Sequence, residues 1–390
     1  MAKKVVVAFS GGLDTSYCVL YLKSLGHDII TVTVDTGGLD GKEVAKIEKK
    51  ALSLGSKKHF HIDAKQKIYD QIIQYVIKLN GLYEGDYPVM CADRYAIVEA
   101  ALEVAKKEGA GAVAHGCTGA GNDQVRFDAA ISALDPDIEI ISPIRDLCLT
   151  RDVEIRYLKD HGFEVENAVK KYSLNKNVFG MTASGSEIDQ DMEPGPEAYT
   201  MIKVTAKKQF EYSTIGFENG LPVSLDGKPL SGPDILQALN SLAGSYGYGS
   251  DIYTGDCVIG IKGRIMFEAP GLLGLIKAHQ KLEQATLTKQ QLTFNKFASS
   301  AWTDLVYGGL YYEPLVKGLE VYADAMQSTV NGTVKLKFEP NSMKVVEVHS
   351  PNSLIGKGKA TYAQKSAWSG DQVKGFIKFY SMQQSMAGVK

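Results

Sequence analysis

Nine consecutive residues near the amino terminus, Ala8-Phe9-Ser10-Gly11-Gly12-Leu13-Asp14-Thr15-Ser16, have the make-up of an anion cradle. Two glycines without Cβ atoms let the main chain close on an anion. A helix starting just behind them turns free N–H groups and its positive dipole end toward the same point. The hydroxyls of Ser10, Thr15 and Ser16 can donate to phosphate oxygens. Asp14 would repel a bare phosphate, so its expected task is to brace the loop or to help hold a Mg²⁺ carried by the phosphates. An ordinary Gly-Gly turn capped by Ser or Thr explains any one of these residues, but not the set following an apolar run. The spacing is not that of a Walker A loop. The nearest such stretch, Thr36-Gly37-Gly38-Leu39-Asp40-Gly41-Lys42, lacks the first glycine and has Glu43 after the lysine.

A second group of polar residues follows another short apolar run: His115-Gly116-Cys117-Thr118-Gly119-Ala120-Gly121-Asn122-Asp123-Gln124-Val125-Arg126-Phe127. A guanidinium such as that of Arg126 grips a carboxylate through a fork of two hydrogen bonds. The sequence shows no obvious Ser-His-Asp or Cys-His constellation. His59, His61, His115 and His279 read better as packing or polar residues than as catalysts. The expected chemistry therefore rests on positioning and charge stabilisation, without a nucleophilic side chain.

Both loops need a rigid frame. Over the first 160 or so residues, short β-rich runs (5–9, 28–34, 58–62, 112–115 and 138–141) alternate with helical patterns (15–25, 42–54 and 92–108). This alternation predicts a parallel sheet with helices on both faces, and ligands in such sheets bind beyond the carboxyl ends of the strands. After residue 170 the rhythm changes. A stretch at 172–196, rich in Ser, Gly, Asn and acidic residues, precedes alternating runs at 223–225 and 334–338 and a helix near 233–242, the pattern of an α+β domain. The tail at 371–383 is apolar along one side at helical spacing. The predicted fold is thus α/β: a doubly wound parallel-sheet domain that carries the anion cradle (1–168), an α+β domain (169–365) and a C-terminal helix (366–390).

Composition narrows the classes. With 390 residues, 44% hydrophobic and 23% charged, the chain is an ordinary globular sequence large enough for two cores. A net charge of −2 without long runs of one sign gives no footprint for nucleic acid or a membrane surface. Cys18, Cys91, Cys117, Cys148 and Cys257 are odd in number and none form a CxxC pair, which argues against a disulfide frame or a structural zinc and for a reducing cytoplasm. No signal-peptide pattern and no apolar run of membrane-spanning length occurs.

The first loop resembles the PP-loop of ATP pyrophosphatases, which cleave ATP to AMP and pyrophosphate. The second is similar to the Gly-x-Thr-x-Lys-Gly-Asn-Asp-x-x-Arg-Phe signature of argininosuccinate synthases, with Ala120 at the lysine position. Looser similarities run through Leu82-Tyr83-Glu84, Tyr172-Ser173-Leu174-Asn175-Lys176-Asn177, Ile259-Gly260-Ile261-Lys262-Gly263-Arg264 and Leu305-Val306-Tyr307. The resemblance implies a homotetrameric ligase that joins citrulline to aspartate through citrullyl-AMP, with ATP as substrate and Mg²⁺ alongside. It assigns residues 8–16, Val34 and Gly116 to ATP. Thr118, Asn122 and Asp123 go to aspartate; Tyr87, Cys91, Asn122, Arg126, Ser173 and Thr182 go to citrulline. Cys91 and Thr182 both stand where the family has Ser. Gly255 and Phe267 replace a Glu and a Tyr that touch citrulline in the family, so that end of the pocket is expected to be roomier and less polar, with Asp93 or Asp256 as substitute anions. The alternatives are a ligase for an N-acylated citrulline, a tRNA-modifying pyrophosphatase, and a non-catalytic nucleotide-binding regulator. The charge and cysteine pattern argue against the second, and the 122–126 cluster and large second domain against the third.

Overall fold

A computed structural model describes residues 2–165, 171–206, 209–355, 357 and 367–388. Five strands, β1 (Lys4–Ala8), β2 (Asp28–Asp35), β3 (Lys58–Asp63), β4 (Ala112–Ala114) and β5 (Glu139–Ile141), form a parallel sheet in the order β3-β2-β1-β4-β5. The central strand explains the continuous apolar run. Val5 and Val7 pack with Cys18, Leu22 and Ile29 on one face. Val6 and Ala8 join Ile30, Val32 and Val113 on the other, so the strand is buried on both sides. The strand order reverses between β1 and β4, and the two loops of interest leave the carboxyl ends of those two strands.

Local signals set the helix ends. Asp40 caps the helix Gly41–Ser53 by accepting from Lys42 N and Glu43 N, while the Glu43 carboxylate accepts from Asp40 N. The helix Asp93–Glu108 stops at Gly109, which takes φ +63°. Sequence periodicity passed over the helical stretch 65–78, where a π-helical turn, Tyr69–Ile73, joins Lys65–Ile68 to Gln74–Lys78. Its residues Ile68, Ile72, Ile73, Val76 and Ile77 are fully buried. Gln66 and Asp70 stay exposed on the other face, and the π-helical turn shifts the apolar stripe partway along, which breaks a strict 3.6-residue repeat.

The second half carries two antiparallel sheets. The strands are β6 (Ser173–Asn177), β7 (Gly180–Ser184), β8 (Glu211–Glu218), β9 (Leu221–Leu225), β10 (Lys228–Pro229), β11 (Ser250–Asp256), β12 (Lys262–Glu268), β13 (Gly332–Glu339) and β14 (Ser342–His349). One sheet runs β10-β9-β8-β13-β14 and the other β11-β12-β7-β6. The helices Gly232–Ser245 and Pro270–Thr286 pack on the first. The α+β expectation therefore holds, and the turn-rich stretch after residue 172 proves to contain the β6–β7 hairpin. That hairpin touches the first domain closely. A Cβ on Gly38 would lie 2.3 Å from the Lys176 carbonyl oxygen, and Val178 N donates to Thr36 O.

The helix Gly370–Tyr380 keeps no buried residue, and Phe376, Phe379 and Tyr380 are largely exposed. The expected domain boundaries at 168/169 and 365/366 lie outside the described residues. Among the described residues no helix is long and apolar enough to cross a membrane.

Candidate active site

A cavity of about 1020 Å³ opens at the strand-order reversal and is walled by both domains. Of the residues assigned to ATP, Ala8, Phe9, Ser10, Gly12, Leu13, Asp14, Thr15, Val34 and Gly116 line it. Gly11 and Ser16 do not. Gly11 takes φ +76° and its carbonyl accepts from Lys50 Nζ at 2.7 Å. Ser16 is fully buried and its hydroxyl donates back to Gly12 O at 2.5 Å, so it braces the loop. Ser10 Oγ receives Gly12 N at 3.3 Å and lies 3.2 Å from Thr15 Oγ1. No side chain caps the helix Leu13–Ser24. Its first-turn N–H groups therefore face the cavity as anion donors. The loops nearly touch: a Cβ on Gly116 would come within 3.2 Å of Asp14 and Thr15.

Behind Asp14 sits Glu154, from the helix Arg151–Asp160, only 2% exposed and with Oε2 lacking a hydrogen-bond partner. Burial first, then the charge and hydrogen bond of Asp14, push its carboxyl up to about 8. Unfolded, a glutamate ionises near its ordinary 4.5, so the native state binds the extra proton. That contribution is intact below about pH 4.5 and is lost as pH rises toward about 8. Glu154→Gln, which cannot ionise, should therefore gain in Tm over the parent progressively across this window. A Tm difference that does not change with pH would refute the assignment.

The second loop is anchored rather than reactive. Cys117 N donates to His115 Nδ1 at 3.3 Å, which leaves Nε2 to carry the hydrogen toward Asp128, 2.8 Å away. Asp128 also accepts from Arg145 at 2.6 Å. His115 is thus a buried bracket, as the sequence suggests. Beyond it, Asp123 accepts from Arg94 Nη2 at 2.9 Å and from Arg126 Nη1 at 2.8 Å. Burial alone would raise the Asp123 carboxyl, but the two guanidiniums prevail and hold it down to about 2. Arg126, 4% exposed, also donates through Nε to Tyr307 O at 3.0 Å and lies 4.8 Å above the Tyr307 ring. Asn122 donates to Tyr307 Oη at 3.2 Å and accepts from Val258 N at 2.9 Å.

Thr118, Asn122, Asp123, Arg126 and Ser173 all line the cavity. Tyr87, Cys91 and Thr182 are buried and stand behind its wall. Tyr87 stacks on Tyr253, 5.5 Å between ring centres, and Tyr253 faces the cavity in its place. Phe267, 1% exposed, is equally remote from the surface. The predicted roomy end at Gly255 is corrected by the structure. A Cβ there would lie 1.7 Å from Tyr253 Oη, so that phenol already fills the space.

Sequence reading overlooked Arg94, Lys176, Arg264, Tyr253 and Tyr307 as cavity residues. Lys176, Arg264 and Tyr307 lie inside segments quoted for their looser similarity, which was the available signal. Ala120 is exposed and off the wall, whereas Lys176 brings a cation into the cavity from the β6–β7 hairpin. Among the described residues no three His, Cys, Asp or Glu side chains gather to hold a metal ion.

Comparison with known proteins places both parts of the chain in one family. Residues 4–164 match the family model described as the arginosuccinate synthase N-terminal HUP domain, and residues 172–387 match the arginosuccinate synthase C-terminal domain. The chain is similar to the argininosuccinate synthase of Xylella fastidiosa, at 45% identity over 98% of this chain and 97% of that protein. It is similar to that of Pyrococcus furiosus at 44%, covering 98% and 94%, and to that of Methanocaldococcus jannaschii at 38%, covering 98% and 97%.

Proposed function

We propose, because the chain belongs to the argininosuccinate synthase family, that its cavity joins citrulline to aspartate with ATP cleaved to AMP and pyrophosphate. The protein is an ATP-dependent ligase. In the first half-reaction the ureido oxygen of citrulline attacks the α-phosphorus and pyrophosphate leaves. In the second, the aspartate amine attacks the activated ureido carbon, loses a proton and expels AMP. A ureido carbon is a poor electrophile, and the phosphate ester supplies the leaving group it lacks.

The observation that carries this reading is the joining of an uncapped phosphate loop and the Asn122-Asp123-Arg126 cluster in one cavity. Residues 8–10 and 12–15 cradle the phosphates, Val34 lies against the adenine, and Gly116 closes on the nucleotide. Gly11 and Ser16 act through the shape of the loop. The ionised Asp123, with Thr118 and Asn122, receives aspartate; Arg126 and Ser173 receive citrulline, with Tyr87, Cys91 and Thr182 supporting that wall from behind. Asp14 fits a Mg²⁺ held chiefly by the phosphates, since Mg²⁺ in such sites takes one or two carboxylates and keeps water. When bound, that ion would offset charge on the departing pyrophosphate. The domain division at 168/169 and 365/366, a homotetramer built with the C-terminal segment, and a cytoplasmic setting complete the proposal.

Pyrophosphate release, measured with each substrate omitted in turn, tests it. Release should require ATP and citrulline, and without aspartate should stop near one equivalent per site. Sustained release that ignores citrulline would overturn the reading.

A further inference from the structure

Citrulline carries an α-ammonium group beside its carboxylate, and a cavity that selects it needs an anion for that cation. The carboxylates nearest the Arg126 end are almost all engaged. Asp93 is held by Arg94 at 2.6 Å, Asp123 by Arg94 and Arg126, and Asp256 by Lys262 at 2.7 Å. Both substitute anions expected from sequence are therefore already paired.

Glu84 differs. Its Oε2 accepts from Tyr253 Oη at 2.7 Å, and among the described residues no lysine, arginine or histidine forms an ion pair with it. Tyr253 and Gly255 are cavity wall, and a Cβ at 255 would stand 2.7 Å from Glu84 Oε2. The bare glycine is what allows the phenol and the carboxylate to come together at this point. The backbone aims the side chain deliberately. Glu84 takes φ +54° in a tight turn closed by the Tyr83–Tyr87 bridge, a conformation that costs a non-glycine residue energy and concentrates at functional sites. The neighbouring Tyr83 ring stacks on Tyr307 with centres 3.8 Å apart, and the Arg126 guanidinium lies over that same Tyr307 ring. One aromatic layer thus ties the position of Glu84 to that of Arg126.

We propose that Glu84, oriented by Tyr253, is the specificity-determining anion that receives the α-ammonium of citrulline at the Gly255 end of the cavity. The proposal rests on the citrulline reading given above. With Arg126 it forms a two-charge clamp on the amino-acid head group, while the ureido end is left toward the nucleotide.

Kinetics of Glu84→Gln and Tyr253→Phe with citrulline and with its deamino analogue, 5-ureidopentanoate, test this. Glu84→Gln should raise the KM for citrulline by about ten- to a hundred-fold, the range for a lost charge-assisted hydrogen bond. The KM values for ATP and aspartate should stay unchanged, which also reports that the variant is folded. Tyr253→Phe should show a smaller rise of the same kind. The parent should prefer citrulline over the deamino analogue, and Glu84→Gln should erase that preference. A Glu84→Gln enzyme with the parental preference overturns the proposal, as does a parent enzyme that prefers an N-acylated citrulline. If the parent releases no citrulline-dependent pyrophosphate, it is the ligase reading that fails.

Discussion

Arg126→Ala is expected to lower kcat/KM for citrulline by roughly two to three orders of magnitude and to lower Tm as well. The guanidinium does three things at once. It bonds Asp123 through Nη1 and the Tyr307 carbonyl through Nε, and its face covers the Tyr307 ring. Removing one member of a buried ion pair costs about 3–5 kcal/mol, because the partner remains charged in a dry place. At about 1.4 kcal/mol per tenfold, a comparable loss at the substrate carboxylate accounts for the kinetic effect. Sequence alone suggests that Arg126 can be removed without harm to the fold, since it stands in a ligand loop. The structure revises this: the side chain is buried, and its Tyr307 contacts join the two domains. Arg126→Lys separates the roles. It keeps a charge near Asp123 but loses the fork, so Tm should recover more than kcat/KM does. Parental kinetics in purified Arg126→Ala would remove this residue from the citrulline site.

Deleting the chain after Ser369 is expected to reduce the particle mass in light scattering by at least half. The helix Gly370–Tyr380 is well formed, with Ser369 and Gln372 making a reciprocal cap at its start. Yet Phe376, Phe379 and Tyr380 are between 64% and 75% exposed. Three large rings left open on one short helix form an apolar patch of the kind that marks a protein–protein contact. The retained residues include every described strand and the whole cavity wall, so the truncated protein should stay folded. An unchanged mass would show that the segment plays no part in assembly.

The first domain was legible because its signals are local. Continuous valine runs mark strands buried on both faces, and Gly26, Gly55 and Gly109 stop helices where expected. Both chemistry-bearing loops were found for the same reason, as each follows a strand directly. The wall opposite them was not. Tyr253 and Tyr307 come from β11 and from the end of the helix Lys289–Tyr307, far along the chain. No spacing in the sequence says that their rings meet Tyr83 and Arg126. Gly255 shows the limit best. Read singly, a glycine in place of a larger residue means empty space, yet a tyrosine two positions earlier occupies that volume. Glu84 was visible only as part of a loose similarity, and its value depends on which other carboxylates have already found cations.

The pairing of β8 with β13 also bears on how the chain is made. Ile215 sits opposite Val334 in that ladder, so during synthesis the first strand emerges well over a hundred residues before its partner. At ~5–20 residues per second, β8 waits on the order of 6–24 s with one edge open. The helices that cover this sheet, Gly232–Ser245 and Pro270–Thr286, are translated within that interval and can shield Ile215 and Phe217 before the edge closes. The order of elements along the gene thus works as a schedule, in which the cover for the apolar face arrives before the strand that completes it.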